Sequence, residues 1–222
     1  MNYNFRFEPI LDRLPELLAG AWMTIQLSAT AMAIGLALAV PCAIIRTSGP
    51  RLPALIVSGY VETVRNTPFL VQIFIVFFGL PSLGVRFSPD VAALIAMALN
   101  VGAYVTEILR SGIEAVPRGQ VEAGKALGLG KAQIFVYVVL RPAIRAVYPA
   151  LTSQYVLLIL QSSVISAISA EELTSVANDI ASQTFSNFEV YLIVTAIYFI
   201  MGIGFAWVFH VASRVMFAYP EK

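Results

Sequence analysis

The sequence predicts an all-α integral membrane protein with five transmembrane helices, its amino terminus outside the cell and its carboxyl terminus inside. Composition supports this class, because 59% of the 222 residues are hydrophobic and only 12% are charged. A water-soluble domain carries about 25% charged residues, and its surface needs polar cover. Lipid must therefore be the main solvent of this chain, which excludes cytosolic enzymes and secreted disulfide modules.

Five stretches without a charged residue mark the candidate spans. A helix that crosses a bilayer needs roughly 20 apolar residues, and all but the third stretch reach that length. The third helix must continue past Glu107 to cross. The uniformly apolar composition argues against the alternating strands of a lipid-facing barrel. The stretches are 17–45, 66–85, 91–106, 146–170 and 190–213.

The distribution of Lys and Arg determines the predicted orientation, because cytoplasmic loops are enriched in these residues. With five spans and an outer amino terminus, three of the 14 basic residues lie outside and the other eleven inside. The opposite orientation would place those eleven outside. Segment 171–189 carries acidic residues and no basic one, which agrees with an outer location. The three outer residues are Arg6, Arg13 and Arg86.

The chain forms a single domain, 1–222, and two polar segments flank its spans. Residues 1–16 mix apolar and charged positions, which predicts an amphipathic helix at the outer interface. Residues 171–188 predict an outer re-entrant or surface helix. Pro68 and Pro149 lie within predicted helices and should kink them.

Several kinds of chemistry are excluded by what the sequence lacks. With one cysteine and one histidine, the chain cannot assemble a metal-binding set or a Cys–His nucleophilic pair. It has no G-x-x-x-x-G-K-[ST] loop, so it cannot hydrolyse ATP by that route. The near balance of 14 basic and 13 acidic residues gives no field that would attract nucleic acid. We expect a protein that is not an enzyme, binds no cofactor or metal, and contacts membrane lipid.

Residues 119–130 form the most informative part of the long inner loop. Their sequence, GQVEAGKALGLG, predicts a short helix with Glu122 and Lys125 on one side. Gly128 and Gly130 should end it, because glycine suits the left-handed turn after a helix. Such a helix is too short to span and could dock a cytoplasmic partner. From composition alone, a simple connector between two spans is the alternative.

The spacing in this loop resembles the EAA loop of bacterial ABC-transporter permeases, which reads Glu-Ala-Ala, three residues, Gly, nine residues, Ile-x-Leu-Pro. The third small residue here is Gly124, and Arg141 stands where proline is usual, with Pro142 one place later. The matching positions are Glu122, Ala123, Gly124, Gly128, Val138 and Leu140.

Four further segments resemble permeases of the polar amino-acid uptake family, in the same order along the chain. They are 17–28, 60–81, 99–120 and 150–173, the second reading YVETVRNTPFLVQIFIVFFGLP. The resemblance implies a type I permease fold in the bacterial inner membrane. It also implies a second permease subunit (the same or a paralogous chain), two cytoplasmic ATPase subunits that bind the ATP, and an extracytoplasmic substrate-binding protein.

The resemblance also assigns candidate site residues. Glu122, Ala123, Gly124 and Gly128 would couple the permease to the ATPase. The third and fourth helices line the translocation path in the resembling family, so the polar residues of these spans are path candidates. Relatives often carry a lysine at the position of Gln161, so its neutral amide suggests a different charge preference or a charge supplied by the partner. The path candidates are Asn100, Gln161 and Ser162.

Two pairs of charged residues lie near the inner ends of their spans. Glu62 and Arg65 are three residues apart on the second helix, as are Glu107 and Arg110 on the third. Residues at that spacing share a helix face and can form ion pairs. The pairs either fix helix packing or act as an inner gate, and both interpretations stay open here.

The predicted function is the permease subunit of an ATP-driven importer for polar amino acids or similar small zwitterions. The alternative is a secondary transporter driven by an ion gradient. Such proteins usually contain internal repeats and broken helices, and no repeat is detectable in this sequence.

Overall fold

The computed structural model describes residues 5–217, and every regular element in that range is a helix. Four of the helices are long and apolar enough to cross a membrane. All described helices, spanning or not, are numbered in chain order as α1 Glu8–Leu11, α2 Leu14–Ser48, α3 Arg51–Arg65, α4 Phe69–Leu83, α5 Pro89–Glu114, α6 Arg118–Ala126, α7 Lys131–Ile168, α8 Leu173–Thr184 and α9 Asn187–Met216.

The second span is a broken pair of helices. Helices α3 and α4 pass the length and hydropathy test together, but they are bent by 111° at their junction. Counted as one span, they bring the total to the five that the sequence predicts. The predicted stretch 66–85 contains α4, and the predicted kink at Pro68 is a complete break, because α3 ends at Arg65 and Pro68 precedes α4 in an extended conformation. Proline disfavours a helical conformation in the residue before it, so the helix breaks here.

Two other spans differ in length from the predicted stretches. Helix α5 continues past Glu107 to Glu114, as its short apolar stretch requires. Helix α7 begins at Lys131, well before the stretch 146–170, and Pro149 lies inside it without interrupting it. Both α4 and α7 contain a π-helical segment shortly before a proline. Because proline has no N–H to donate, such a position favours a local change in the hydrogen-bond ladder.

Helix α5 forms the centre of the fold. In the most apolar part of each helix, 61% of the residues are buried within the chain in α5, against 11% in α9. Its closest neighbours approach it at glycines. A Cβ atom at Gly35 of α2 would overlap the side chain of Val101, and one at Gly112 would overlap Val147 of α7. The absence of a side chain at these two positions lets α2 and α7 pack directly on α5.

The two predicted polar segments have different outcomes. The outer segment contains α8, which packs so closely on α2 that a Cβ at Gly20 would lie 3.0 Å from Leu173 Cα. The predicted helix over 1–16 is a single turn at Glu8–Leu11, and α2 already begins at Leu14. Residues 1–4 lie outside the described residues, and an interfacial position of this segment stays a prediction.

Gly35→Ala should lower the free energy of unfolding by about 1–3 kcal/mol, the usual cost of overpacking a filled interior. The new methyl group would meet Val101 and lie 3.1 Å from the Ala98 carbonyl oxygen. Gly59→Ala in α3 is the matched control, because no atom lies within 4 Å of its added Cβ. Thermal unfolding of both variants in one detergent measures the difference. Equal midpoints would contradict the packing argument.

Candidate functional site

Helix α6 lies in the inner loop at the predicted position and ends in a glycine turn. Gly128 has a φ of 78°, the left-handed conformation expected after a helix end. Its N–H donates to the Lys125 carbonyl at 2.9 Å, and the Leu129 N–H donates to the Gly124 carbonyl at 3.1 Å. These two bonds form a Schellman motif. Gly130 is extended, with φ −71°, so the expectation of a second left-handed glycine is wrong.

The two faces of α6 differ in exposure. Gly124 is buried, and a Cβ there would lie 3.3 Å from Ile134 and 3.5 Å from Val138 of α7. Packing against α7 therefore explains the small size of Gly124. The other predicted coupling residues, Glu122, Ala123 and Gly128, are exposed. They could meet a partner without any change in the fold, and their coupling role stays a prediction.

A groove of about 660 Å³ opens beside α6, between the first turns of α7 and the end of α9. Apolar side chains, including Leu127, Val138 and Met216, form part of its lining. The side chains of Arg141 and Arg145 contribute charge. The end of the bundle that carries α6 thus combines an exposed helix face with a concave surface.

A cluster of ion pairs surrounds Glu107, toward the α6 end of α5. Arg46 Nη1 lies 2.6 Å from Glu107 Oε2, and Arg110 Nη2 lies 2.5 Å from Glu107 Oε1. Arg110 also pairs with Glu114 at 2.5 Å. The structure thus contains the predicted Glu107–Arg110 pair and adds Arg46 from α2. A partly buried carboxylate with two cations at contact distance joins α2 to α5.

The predicted pair Glu62–Arg65 is absent from the part of the chain that the structure describes. Glu62 is exposed and forms no ion pair there. The Arg65 guanidinium instead lies 4.0 Å from Glu107 and 5.5 Å from the centre of the Tyr104 ring. Arg65 is the last residue of α3, so its side chain can leave the face that it would share with Glu62 and turn toward α5.

The path candidates do not form one hydrogen-bonded group. Asn100 is 2% exposed, and its Nδ2 donates to Gln72 Oε1 at 2.9 Å. Ser162 is fully buried and donates to the Ile159 carbonyl at 2.7 Å. Gln161 is half-buried. Within residues 5–217 no hydrogen bond joins Asn100 to the other two, so their common role in a path stays a prediction.

The sequence analysis missed Gln72, which lies at the break of the second span. Its Nε2 donates to the Val64 carbonyl at 2.7 Å and to the Thr67 carbonyl at 3.1 Å. The sequence did contain a signal for Gln72, because an amide side chain in an apolar stretch, one turn after a proline, is costly unless it forms hydrogen bonds.

Glu172 was also missed, although its carboxylate joins three helices. Its Oε1 accepts from the Ser175 N–H at 2.8 Å, and its Oε2 accepts from the Tyr198 hydroxyl at 2.7 Å. The Thr24 hydroxyl of α2 accepts from the Leu173 N–H at 3.1 Å. Burial raises the pKa of the Glu172 carboxyl, while these hydrogen bonds favour its ionised form. The group caps α8 and fastens it to α2 and α9.

Glu107→Gln should destabilise the chain by about 2 kcal/mol, because it removes the charge-assisted bonds of two arginines in a partly buried site. Glu114→Gln is the matched control. The Glu114 side chain is 54% exposed and pairs with Arg110, so loss of this ion pair should lower the free energy of unfolding by about 0–1 kcal/mol. Thermal unfolding measures stability, and uptake measured in parallel tests the gate: a large loss of uptake at unchanged stability would favour gating.

Comparison with known proteins identifies relatives along nearly the whole chain. The nopaline transport system permease of Agrobacterium fabrum is 37% identical over 85% of this chain and 83% of its own length. The L-cystine transport system permease of Bacillus subtilis is 36% identical, with 94% and 89% covered. The glutamine transport system permease of Escherichia coli K12 is 30% identical, with 96% and 98% covered.

Solved structures and a family model agree with these relatives. An amino acid ABC transporter crystallised with histidines superposes with a TM-score of 0.91 at 34% identity, over 96% of this chain and 99% of that one. A methionine ABC transporter shares the fold, with a TM-score of 0.75 at 19% identity, over 90% and 95%. Residues 24–218 match the model of the binding-protein-dependent transport system inner membrane component. The chain therefore belongs to this family of ABC-transporter permeases and has the type I permease fold.

Proposed function

We propose that this chain is the permease subunit of an ATP-driven importer for polar amino acids or similar small zwitterions, opines included. It would work in the bacterial inner membrane with a second permease subunit, two cytoplasmic ATPase subunits and an extracytoplasmic binding protein. The names of the relatives support the substrate class, since they transport nopaline, cystine and glutamine. The predicted orientation places α6 on the cytoplasmic side.

The observation that carries this proposal is the exposed face of α6. A short helix that presents Glu122, Ala123 and Gly128 beside an open groove is suited to receive another protein. The chain has no phosphate-binding loop of its own, so the energy of ATP must enter through such a contact. Small residues on the docking face would let the ATPase surface approach closely.

Movement of the ATPase would reach the spans because α6 is packed against its neighbours. Val121 of α6 and Ile113 of α5 pack on a buried cluster at the start of α7, formed by Val116, Ile134, Val139 and Ala143. These two helices also carry the path candidates, Asn100 on α5 and Gln161 on α7. A displacement of α6 would shift both helices and open the path alternately to the two sides. The ATPase supplies the different contacts in the two states that such a switch requires.

The broken pair of helices α3 and α4 is a feature shared with ion-gradient-driven secondary transporters, the alternative that the sequence left open and that the family of this chain opposes. Discontinuous helices often form substrate sites in such transporters. Uptake that survives ATP depletion but fails without the ion gradient would support this class. The reverse result is expected for the proposed importer.

The substrate can be identified by co-purifying the permease with its binding protein and analysing the bound molecule by mass spectrometry. We expect a polar amino acid or an opine. Proteoliposomes that contain the purified complex should then take it up only when ATP is available to the ATPase. Uptake without ATP would contradict the proposed function.

Gly128→Asp should abolish ATPase association, or leave hydrolysis that does not drive uptake, because it places a charged side chain on the docking face at a left-handed position. Gly84→Asp is the matched control. Like Gly128, Gly84 has a positive φ, of 84°, and no atom lies within 4 Å of a Cβ added at Gly84 or at Gly128. Gly84 follows α4 on the predicted outer side, away from the docking face. Both variants should insert, and only Gly128→Asp should lose coupling by at least about tenfold. Normal association and transport in Gly128→Asp would refute the docking assignment.

Gln161→Leu should lower uptake at limiting substrate while leaving assembly intact, because it removes the only polar group of that side chain. Assembly is measured by co-purification of the ATPase, and uptake by accumulation of the identified substrate. Normal uptake at limiting substrate would show that Gln161 does not line the path.

A further inference from the structure

One side chain of α4 bonds back across the bend to α3, where Asn66 and Thr67 already bond the Glu62 and Thr63 carbonyls. A broken helix leaves carbonyl groups without their helical partners, and lipid cannot satisfy them. Gln72, one turn into α4, folds back across the break, and its Nε2 lies 2.7 Å from the Val64 carbonyl. The same nitrogen lies 3.1 Å from the Thr67 carbonyl and 3.0 Å from the Thr67 hydroxyl. The Gln72 amide thus serves one acceptor in α3, on the far side of the bend, and two acceptors of Thr67 within the break.

The other end of the same amide contacts α5. Gln72 Oε1 accepts a hydrogen bond from Asn100 Nδ2 at 2.9 Å. The surroundings fix which way the amide points, because the reversed orientation would set its oxygen against three acceptors. Asn100 Oδ1 is buried and has no hydrogen-bond partner in the described part of the chain. The polar link between α4 and α5 is therefore this one hydrogen bond with a defined donor, beside the apolar packing of Phe69, Ile73 and Val76 in the core that α5 shares.

Helix α3 has its own attachments to α5. The Tyr60 hydroxyl donates to the Leu99 carbonyl at 2.6 Å, and Arg65 approaches Glu107 to 4.0 Å. A shift of α5 would thus move α3 directly. Helix α4 packs on α5 through Phe69, Ile73 and Val76. Its angle relative to α3 depends on the bend, which the Gln72 side chain bridges.

We propose that Gln72 is a positioning residue for transport: it fixes the bend between α3 and α4 and, through Asn100, makes both helices move with α5. This inference rests on the proposed transport function, since a movement of α5 during the ATPase cycle is what the bend would transmit. Gln72 contacts no substrate in this role and acts only through the geometry of the second span.

Two variants of similar side-chain size separate the two contacts of Gln72. Gln72→Glu keeps an oxygen that can accept from Asn100 but loses the N–H groups that face Val64 and Thr67. Asn100→Leu removes the donor toward Gln72 and leaves the Gln72 bonds across the bend in place. Gln183→Glu is the matched control, because within the described residues Gln183 acts as an acceptor, from Arg13 Nη1 at 2.7 Å, and a carboxylate can replace it there.

Spin labels at Leu55 and Leu83, both strongly exposed, would report the angle of the bend. They are introduced as cysteines in a Cys42→Ser background, and labelled permease is diluted with unlabelled permease so that only distances within one chain are measured. We expect a narrow distance distribution in the parent, in Gln183→Glu and in Asn100→Leu, and a broad one in Gln72→Glu. Thr67→Val removes one acceptor of Gln72 and should broaden the distance distribution slightly. This variant tests the bend if Gln72→Glu does not fold.

Transport by the full complex is the second readout. Gln72→Glu and Asn100→Leu should each lower the substrate imported per ATP hydrolysed at least fivefold, while Gln183→Glu leaves this ratio unchanged. If Gln72 had a purely structural role, its loss would lower uptake and ATP hydrolysis in the same proportion, and the ratio would not change. A narrow distribution and a normal ratio in Gln72→Glu would overturn the proposal. If the parent imports no amino acid, the proposed function fails, whereas the distance measurement still tests the bend.

Discussion

A buried backbone carbonyl or N–H group that water cannot reach needs a partner within the protein, and the irregular parts of this chain obey that constraint. At the bend between α3 and α4, the Gln72 amide bonds to the carbonyls of Val64 and Thr67. At the start of α8, Thr24 and Glu172 accept from the first free N–H groups of the helix. In each case the side chain that completes the backbone bonding also contacts a neighbouring helix. The breaks in regular structure are therefore also points where helices are joined.

Charged side chains in the apolar region also need a partner within the protein. Glu107 would be costly there alone, and it is bonded to Arg46 of α2 and Arg110 of its own helix. The cluster lies near the loop that contains α6, where the predicted orientation places the cytoplasm. These charged side chains join α2 to α5 at this end. They would either hold the two helices together throughout the transport cycle or change partners during it.

Local patterns in the sequence predicted what depends on one helix or one turn. The number of spans, the extension of α5 beyond Glu107 and the left-handed turn at Gly128 all follow from run length or from the conformational freedom of glycine. The same approach missed the bonds from Arg46 to Glu107 and from Gln72 to Asn100. Their partners are 61 and 28 residues apart, so no spacing rule within a helix could have paired them. The wrong pair Glu62–Arg65 has the same cause, because Arg65 found a partner on another helix.

The position of α5 explains how a contact at one end of the molecule could affect the middle of the membrane. Val121 of helix α6 packs on a small buried cluster that joins the start of α7 to the segment after α5. Glycines at positions 35 and 112 leave room for the side chains of Val101 and Val147, which lets α2 and α7 lie close to α5. Closely packed helices transmit a displacement instead of absorbing it. Helix α4 meets α5 through apolar contacts and the single bond from Asn100 to Gln72, and among the described side chains Gln72 alone bonds it back to α3. The broken span is therefore the element whose movement can differ most from that of the rest, and the bend at Gln72 is where that difference would be controlled.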